Sequence, residues 1–141
     1  MRRYLLDTGP AAAFLLGRPG ARSLLAPWLT NHEVATSVLV YGEVIEYFKM
    51  FRDFPTHRAA LRTMLREVRA YTPTYAIVER YADIRLFLRR RSPGLIGDVD
   101  TLIAATALVH GLTEVTVDSD FQRIPDLEVY VVSKEALRTS P

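Results

Sequence analysis

The sequence predicts a doubly wound α/β domain, a parallel sheet with helices on both faces. Three observations lead there. Short apolar runs of strand length stand at residues 3–6, Val34–Ser37, 114–117 and 127–132. Longer segments with apolar residues at helical spacing separate them, which is the pattern of βαβ units. Acids directly follow two of the runs, Asp7 after the first and Asp118 after the third, where such a sheet gathers its chemistry beyond the carboxyl ends of its strands.

Each element has its own signals. The first strand ends at Asp7-Thr8-Gly9-Pro10, and Pro10 suits the first turn of a helix of small and apolar residues. Pro19-Gly20 breaks that helix, and residues 21–29 read as a second one. After the strand Val34–Ser37, Ser37 serves as N-cap of a helix whose apolar face is Leu39, Val40, Val44, Tyr47, Phe48 and Phe51. Pro55 opens a further helix with Leu61, Met64, Leu65 and Val68 inward and Arg58, Arg62, Arg66 and Arg69 outward. Residues 75–91 form the next, closed by Pro93-Gly94, and Asp98–His110 the last, with Gly111 as its C-cap. No repeat, linker or low-complexity tract divides the chain, so residues 1–141 are expected to form one domain.

Composition narrows the chemistry. The 141 residues contain no Cys, which removes disulfide frameworks and thiolate zinc sites, and the three His at 32, 57 and 110 lack ligand spacing. The longest uncharged stretch, residues 101–113, is shorter than the roughly 18 residues of a membrane span. Met1-Arg2-Arg3 before Tyr4-Leu5-Leu6 imitates a signal peptide, but Asp7 and Gly9-Pro10 interrupt the apolar core that insertion requires. The net charge of +2 conceals a division. Between Lys49 and Arg91 eleven bases face four acids, whereas from Asp98 onward eight acids face three bases. Sixteen of the eighteen bases are Arg, whose guanidinium fork matches phosphate oxygens. A polyanion held against metal-binding carboxylates fits that division.

The acids at the strand ends carry the sharpest reading. Asp7, the pair Asp98 and Asp100, and the pair Asp118 and Asp120 are predicted to converge on one sheet edge. Singly, each is explained by a turn, an N-cap or a loop. Together they repel, by about 3 kcal/mol per pair at about 5 Å and an effective dielectric near 20, unless a cation neutralises them. Oxygen donors without His or Cys select Mg²⁺ or Mn²⁺, and such ions serve phosphodiester hydrolysis. Glu43 adds a carboxylate on an otherwise apolar helix face, while Glu46 turns to solvent.

At this point the chain resembles the PIN-domain ribonucleases, and among them the VapC-like toxins of toxin–antitoxin pairs. The resemblance rests on four fragments in order. They are Tyr4-Leu5-Leu6-Asp7-Thr8-Gly9-Pro10, Ser37 with Glu43 six residues on, Asp100-Thr101-Leu102-Ile103-Ala104-Ala105-Thr106-Ala107 leading to Gly111-Leu112-Thr113, and Val115-Thr116-Val117-Asp118-Ser119-Asp120-Phe121. It implies a three-layer α/β/α domain with a central parallel sheet. It further implies an acidic pocket for Mg²⁺ or Mn²⁺ formed by Asp7, Glu43, Asp100 and Asp118, with Thr8 beside the first acid and Thr116 orienting bound water. Asp100, one residue (Thr101) before Leu102-Ile103-Ala104-Ala105, is the better match to the family pattern, but Asp98 and Asp120 remain alternatives. Gly42 before Glu43 and Tyr47 after it depart from the pattern, which keeps Glu46 open. The resemblance also implies cleavage of RNA, a cytoplasmic homodimer, and a VapB-like antitoxin as partner. Arg58, Arg62, Arg66, Arg69, Arg89, Arg90 and Arg91 are candidates for contact with the RNA backbone. Tyr41, Phe48, Phe51 and Phe54 offer apolar surface for protein contacts or for the core.

Three rivals were open to the same residues. Asp7-Thr8-Gly9 imitates the triplet of aspartic proteases, which are β-rich, unlike this chain. Asp98-Val99-Asp100-Thr101 has the shape of a phosphatase nucleophile motif, which should follow a strand. A noncatalytic PIN-like module that binds RNA or antitoxin is the third.

Overall fold

The computed structural model describes residues 1–139, so the last two residues of the expected 1–141 domain lie outside the described residues. Five parallel strands form one sheet in the order β3-β2-β1-β4-β5, namely β1 (Tyr4–Leu6), β2 (Val34–Ser37), β3 (Arg69–Tyr71), β4 (Thr113–Thr116) and β5 (Val129–Val131). The helices are α1 (Thr8–Leu15), α2 (Pro19–Thr30), α3 (Val38–Phe48), α4 (Phe54–Met64), α5 (Tyr75–Arg89), α6 (Asp98–His110) and α7 (Lys134–Arg138), with a 3₁₀ turn at Ser119–Arg123. The result is a three-layer α/β fold, as predicted. No described helix is long and apolar enough to cross a membrane.

Why the central strands form is plain from their residues. β1 lies between β2 and β4 and needs apolar side chains on both faces, and Leu5 and Leu6 are wholly buried. Thr36 donates its hydroxyl to the Leu6 carbonyl (2.9 Å), which fixes the end of β1 just before Asp7. The larger apolar core surrounds β1, with Leu25, Val34, Val44 and Phe48 among its buried members. A smaller one joins α5, α6 and the 3₁₀ turn through Ile77, Ala104, Ala105 and Phe121.

Several boundaries differ from the sequence reading. Pro19 and Gly20 open α2 rather than only ending its predecessor, because Pro is tolerated in a first helical turn. α3 stops at Phe48, and Phe51 instead packs past the turn against Phe48 and His57. α4 ends at Met64, so the outward stripe is broken: Arg66 lies in the following turn and Arg69 in edge strand β3. β3 is Arg-Ala-Tyr, too short and polar to register as an apolar run, and edge strands tolerate such residues because one side meets solvent. α5 ends at Arg89, leaving Arg90 and Arg91 beyond it, with the Arg91 guanidinium over the Phe87 ring. The 3₁₀ turn and α7 carried no predicted element.

Gly20 is where α2 touches α7. A Cβ there would overlap the carbonyl oxygens of Ala136 and Thr139. Gly20→Ala is therefore expected to destabilise the protein by about 1–3 kcal/mol, the usual cost of overpacking a close backbone contact, measurable by urea denaturation.

Candidate metal centre

Asp7 emerges at the carboxyl end of β1, with its N–H bonded to the Val115 carbonyl (3.0 Å). It precedes α1 but makes no side-chain cap. Its Oδ2 instead accepts the Thr116 hydroxyl at 2.7 Å, and the residue is only 7% exposed. The same Thr116 oxygen accepts the Asp118 N–H (3.1 Å), so one buried hydroxyl joins the ends of β1 and β4. Ser37 Oγ accepts the Leu39 N–H and starts α3, whose Val40, Val44 and Phe48 point inward. Glu43 lies on the flank of that face, and Thr8 donates its hydroxyl to Glu43 Oε1 at 2.7 Å. Asp100 projects from the first turn of α6.

These placements bring one carboxylate oxygen from each of Asp7, Glu43 and Asp100 within 4.8 Å of one another. Burial raises the Asp7 carboxyl above its ordinary pKa, opposed by the Thr116 hydroxyl and the Thr8 N–H, with Glu43 and Asp118 adding to the rise. Burial likewise carries Asp100 from 3.8 to about 6, reinforced by the charges of Asp7, Glu43, Asp118 and Asp120. No Lys or Arg pairs with the three acids among the described residues. An all-oxygen set of like charges at this spacing fits a hard divalent cation.

The other candidates fall into place around this group. Asp118 is outside the three, its Oδ1 accepting the Asp120 N–H (2.9 Å), yet its charge is felt by Asp7 and Asp100. Asp98 points toward α5, where the Tyr81 hydroxyl (3.0 Å) and Arg85 Nη1 (2.5 Å) bind its Oδ1. The residue before α6 is Gly97, so Asp98 is not its cap. Glu46 and Asp120 are exposed. Arg58, Arg62 and Arg66 share one surface groove and Arg90 and Arg91 another, and neither is lined by any of the three acids or by their chain neighbours. The Asp7-Thr8-Gly9 segment leads from a parallel strand into a helix, and Asp98-Val99-Asp100 opens a helix, so neither rival motif has its required setting.

Glu114 escaped the sequence reading. It lies in β4, flanked by β1 and β5, wholly buried, and neither of its carboxylate oxygens has a hydrogen-bond partner. Burial raises its pKa well above 4.5, and the charges of Asp7, Asp100 and Asp118 raise it further. The available signal was a carboxylate within the predicted strand 114–117.

The family model for the PIN domain matches residues 4–127. The chain belongs to the PIN domain family. PIN domains are generally nucleases. Among solved structures, VapBC2 from Rickettsia felis bound to a promoter DNA fragment is 23% identical, with 91% of this chain and 97% of that chain covered and a TM-score of 0.80. DNA-bound VapBC from Salmonella typhimurium is 20% identical over 93% and 98% of the two chains, with a TM-score of 0.81. A toxin–antitoxin complex from Klebsiella pneumoniae is 25% identical over 92% and 99%, with a TM-score of 0.70. No curated protein matches the sequence.

Proposed function

We propose that this PIN-domain protein is a Mg²⁺- or Mn²⁺-dependent endoribonuclease and the toxin of a toxin–antitoxin pair. The observation that carries the reading is the convergence of Asp7, Glu43 and Asp100 from three separate elements. Those three residues would hold the ion, with Asp118 as a fourth carboxylate at the rim. When bound, the ion supplies Lewis-acid polarisation of a phosphodiester and a more acidic water. The protein's own contribution is orientation. Thr116 holds Asp7 by Oδ2, Thr8 holds Glu43 by Oε1, and neither acid can rotate away without breaking a hydroxyl bond. The likeness to VapBC complexes supports a VapB-like antitoxin as partner. Exposed Tyr75, Val78 and Leu86 along α5 offer apolar surface for a homodimer, and the cytoplasm is the setting of such a pair.

The test is incubation of the purified protein with total cellular RNA in Mg²⁺ or Mn²⁺, with new 5′ ends mapped. Ends that vanish in EDTA and in Asp7→Asn support the reading; metal binding without new ends goes against it. The same acids set a pH dependence. Protons compete for the carboxylates, and Asp100 takes one up near pH 6. Mn²⁺ affinity measured calorimetrically is expected to fall by about tenfold per pH unit below that point and to level off above it.

A further inference from the structure

Beside the three acids runs a groove of about 380 Å³. It begins at Thr8 and Gly9, which follow Asp7, and at Val117, which precedes Asp118. Three cations rim it: Arg18 from the turn before α2, and Lys134 and Arg138 from α7. The C-terminal third of the chain is acidic, with only three bases from Asp98 onward, and two of those three are here. None of the three rim cations forms an ion pair among the described residues. The floor between them is apolar, formed by Ala12, Leu16 and Leu137, and Tyr47 lines the wall with 38% of its surface exposed.

Unpaired cations set around an apolar floor match a chain that alternates anionic backbone with flat apolar rings. Phosphates meet the guanidinium and ammonium groups while bases lie on the apolar and aromatic surface. The acids do not line the groove themselves, but Thr8 does, and its hydroxyl bonds Glu43. A strand with one phosphate at the acids therefore finds its next phosphates on the side where the protein's charge changes sign.

We propose that this groove is the track for the single-stranded RNA segment flanking the cleaved phosphate. Arg18, Lys134 and Arg138 bind its backbone, and the floor beside Tyr47 receives a base. The assignment rests on the nuclease reading for what is cut, but its own evidence concerns where the strand lies.

The experiment is fluorescence anisotropy of a short labelled single-stranded RNA over a salt series in EDTA, so that binding is read without cleavage. The variants are Arg18→Ala/Lys134→Ala/Arg138→Ala and, for comparison, Arg58→Ala/Arg62→Ala/Arg66→Ala. The groove variant is expected to bind about tenfold more weakly or worse, with the slope of log affinity against log salt reduced by about 2, while Mn²⁺ binding and the melting temperature stay unchanged. Tyr47→Ala is expected to weaken binding about tenfold through loss of stacking without changing the slope. Arg18→Ala and Lys134→Gln alone, each expected to reduce the slope by about 0.7, serve if the triple variant does not fold. Unchanged RNA affinity in a folded groove variant overturns the proposal, as does a loss confined to the α4 variant. So does a wild-type protein that binds polyglutamate through these cations but binds no RNA, which assigns the groove to an acidic protein segment. RNA that binds through the groove but is never cut in Mg²⁺ or Mn²⁺ removes the nuclease reading and leaves the groove assignment standing.

Discussion

Asp7→Asn is expected to lower metal-dependent RNA cleavage about a thousandfold or more, and at the same time to raise the melting temperature of the metal-free protein. Asn keeps the size of the side chain and an oxygen that accepts the Thr116 hydroxyl, so the join between β1 and β4 survives. What disappears is the charge. A loss of about 4 kcal/mol of transition-state stabilisation, typical for removal of one key electrostatic group, corresponds to that thousandfold change. The gain in stability has the same origin. Asp7 is a buried carboxyl crowded by Glu43 and Asp118, an arrangement that favours catalysis and opposes folding. Single-turnover cleavage and calorimetric melting in EDTA measure the two effects; full activity in Asp7→Asn would sink the proposed chemistry.

Glu114→Met is expected to stabilise the fold by about 1–3 kcal/mol near neutral pH, because it removes a buried polar group that has no hydrogen bond and replaces it with a flexible apolar one of similar length. The sign of the pH dependence follows from the raised pKa. The folded protein holds a proton on Glu114 at pH values where the unfolded chain, with its carboxyl near 4.5, has released it. Proton binding to the folded state then weakens stability as pH rises, and the handicap is absent below about 4.5. The advantage of Glu114→Met should accordingly shrink as urea titrations are moved from pH 7.5 toward pH 4.5. Asp100 acts in the same direction between 3.8 and about 6, so the metal-free wild type is expected to gain stability on mild acidification, the reverse of its metal affinity.

The sheet was legible wherever strands are central. Leu5-Leu6 and Val115 announce themselves because a parallel strand with neighbours on both sides needs apolar residues on both faces. Edge strand β3 was hidden for the converse reason, and with it the end of α4 and the position of Arg69. The acids were legible as a set because strand ends identify Asp7 and Asp118, and because Ser37 fixes the start of the helix that carries Glu43. Between Asp98 and Asp100 the family resemblance favoured Asp100, but the residues alone did not exclude Asp98. Two positions apart on a helix, they face different neighbours, and the Tyr81–Arg85 pair that takes Asp98 sits on another helix. Glu114 was hidden because a carboxylate in a short strand is ordinarily solvated, and only the pairing of β4 with both β1 and β5 leaves this one wholly buried. The cation-rimmed groove depends on α7 folding back against α1 and α2, a tertiary contact that no local pattern encodes.

The hydroxyl that joins Asp7 to the end of β4 belongs to a residue 109 positions further along the chain. Synthesis proceeds from the N-terminus at about 5–20 residues per second, so for on the order of ten seconds the first acid is made but its partner is not. Glu43 and Asp100 also arrive in sequence, and strand β4, which locks against β1, comes after all three. A nascent chain therefore carries the acids without the arrangement. In the proposed role, the protein becomes competent to hold its ion only after β4 has been made and paired with β1, so the order of the elements delays the activity until the sheet is assembled.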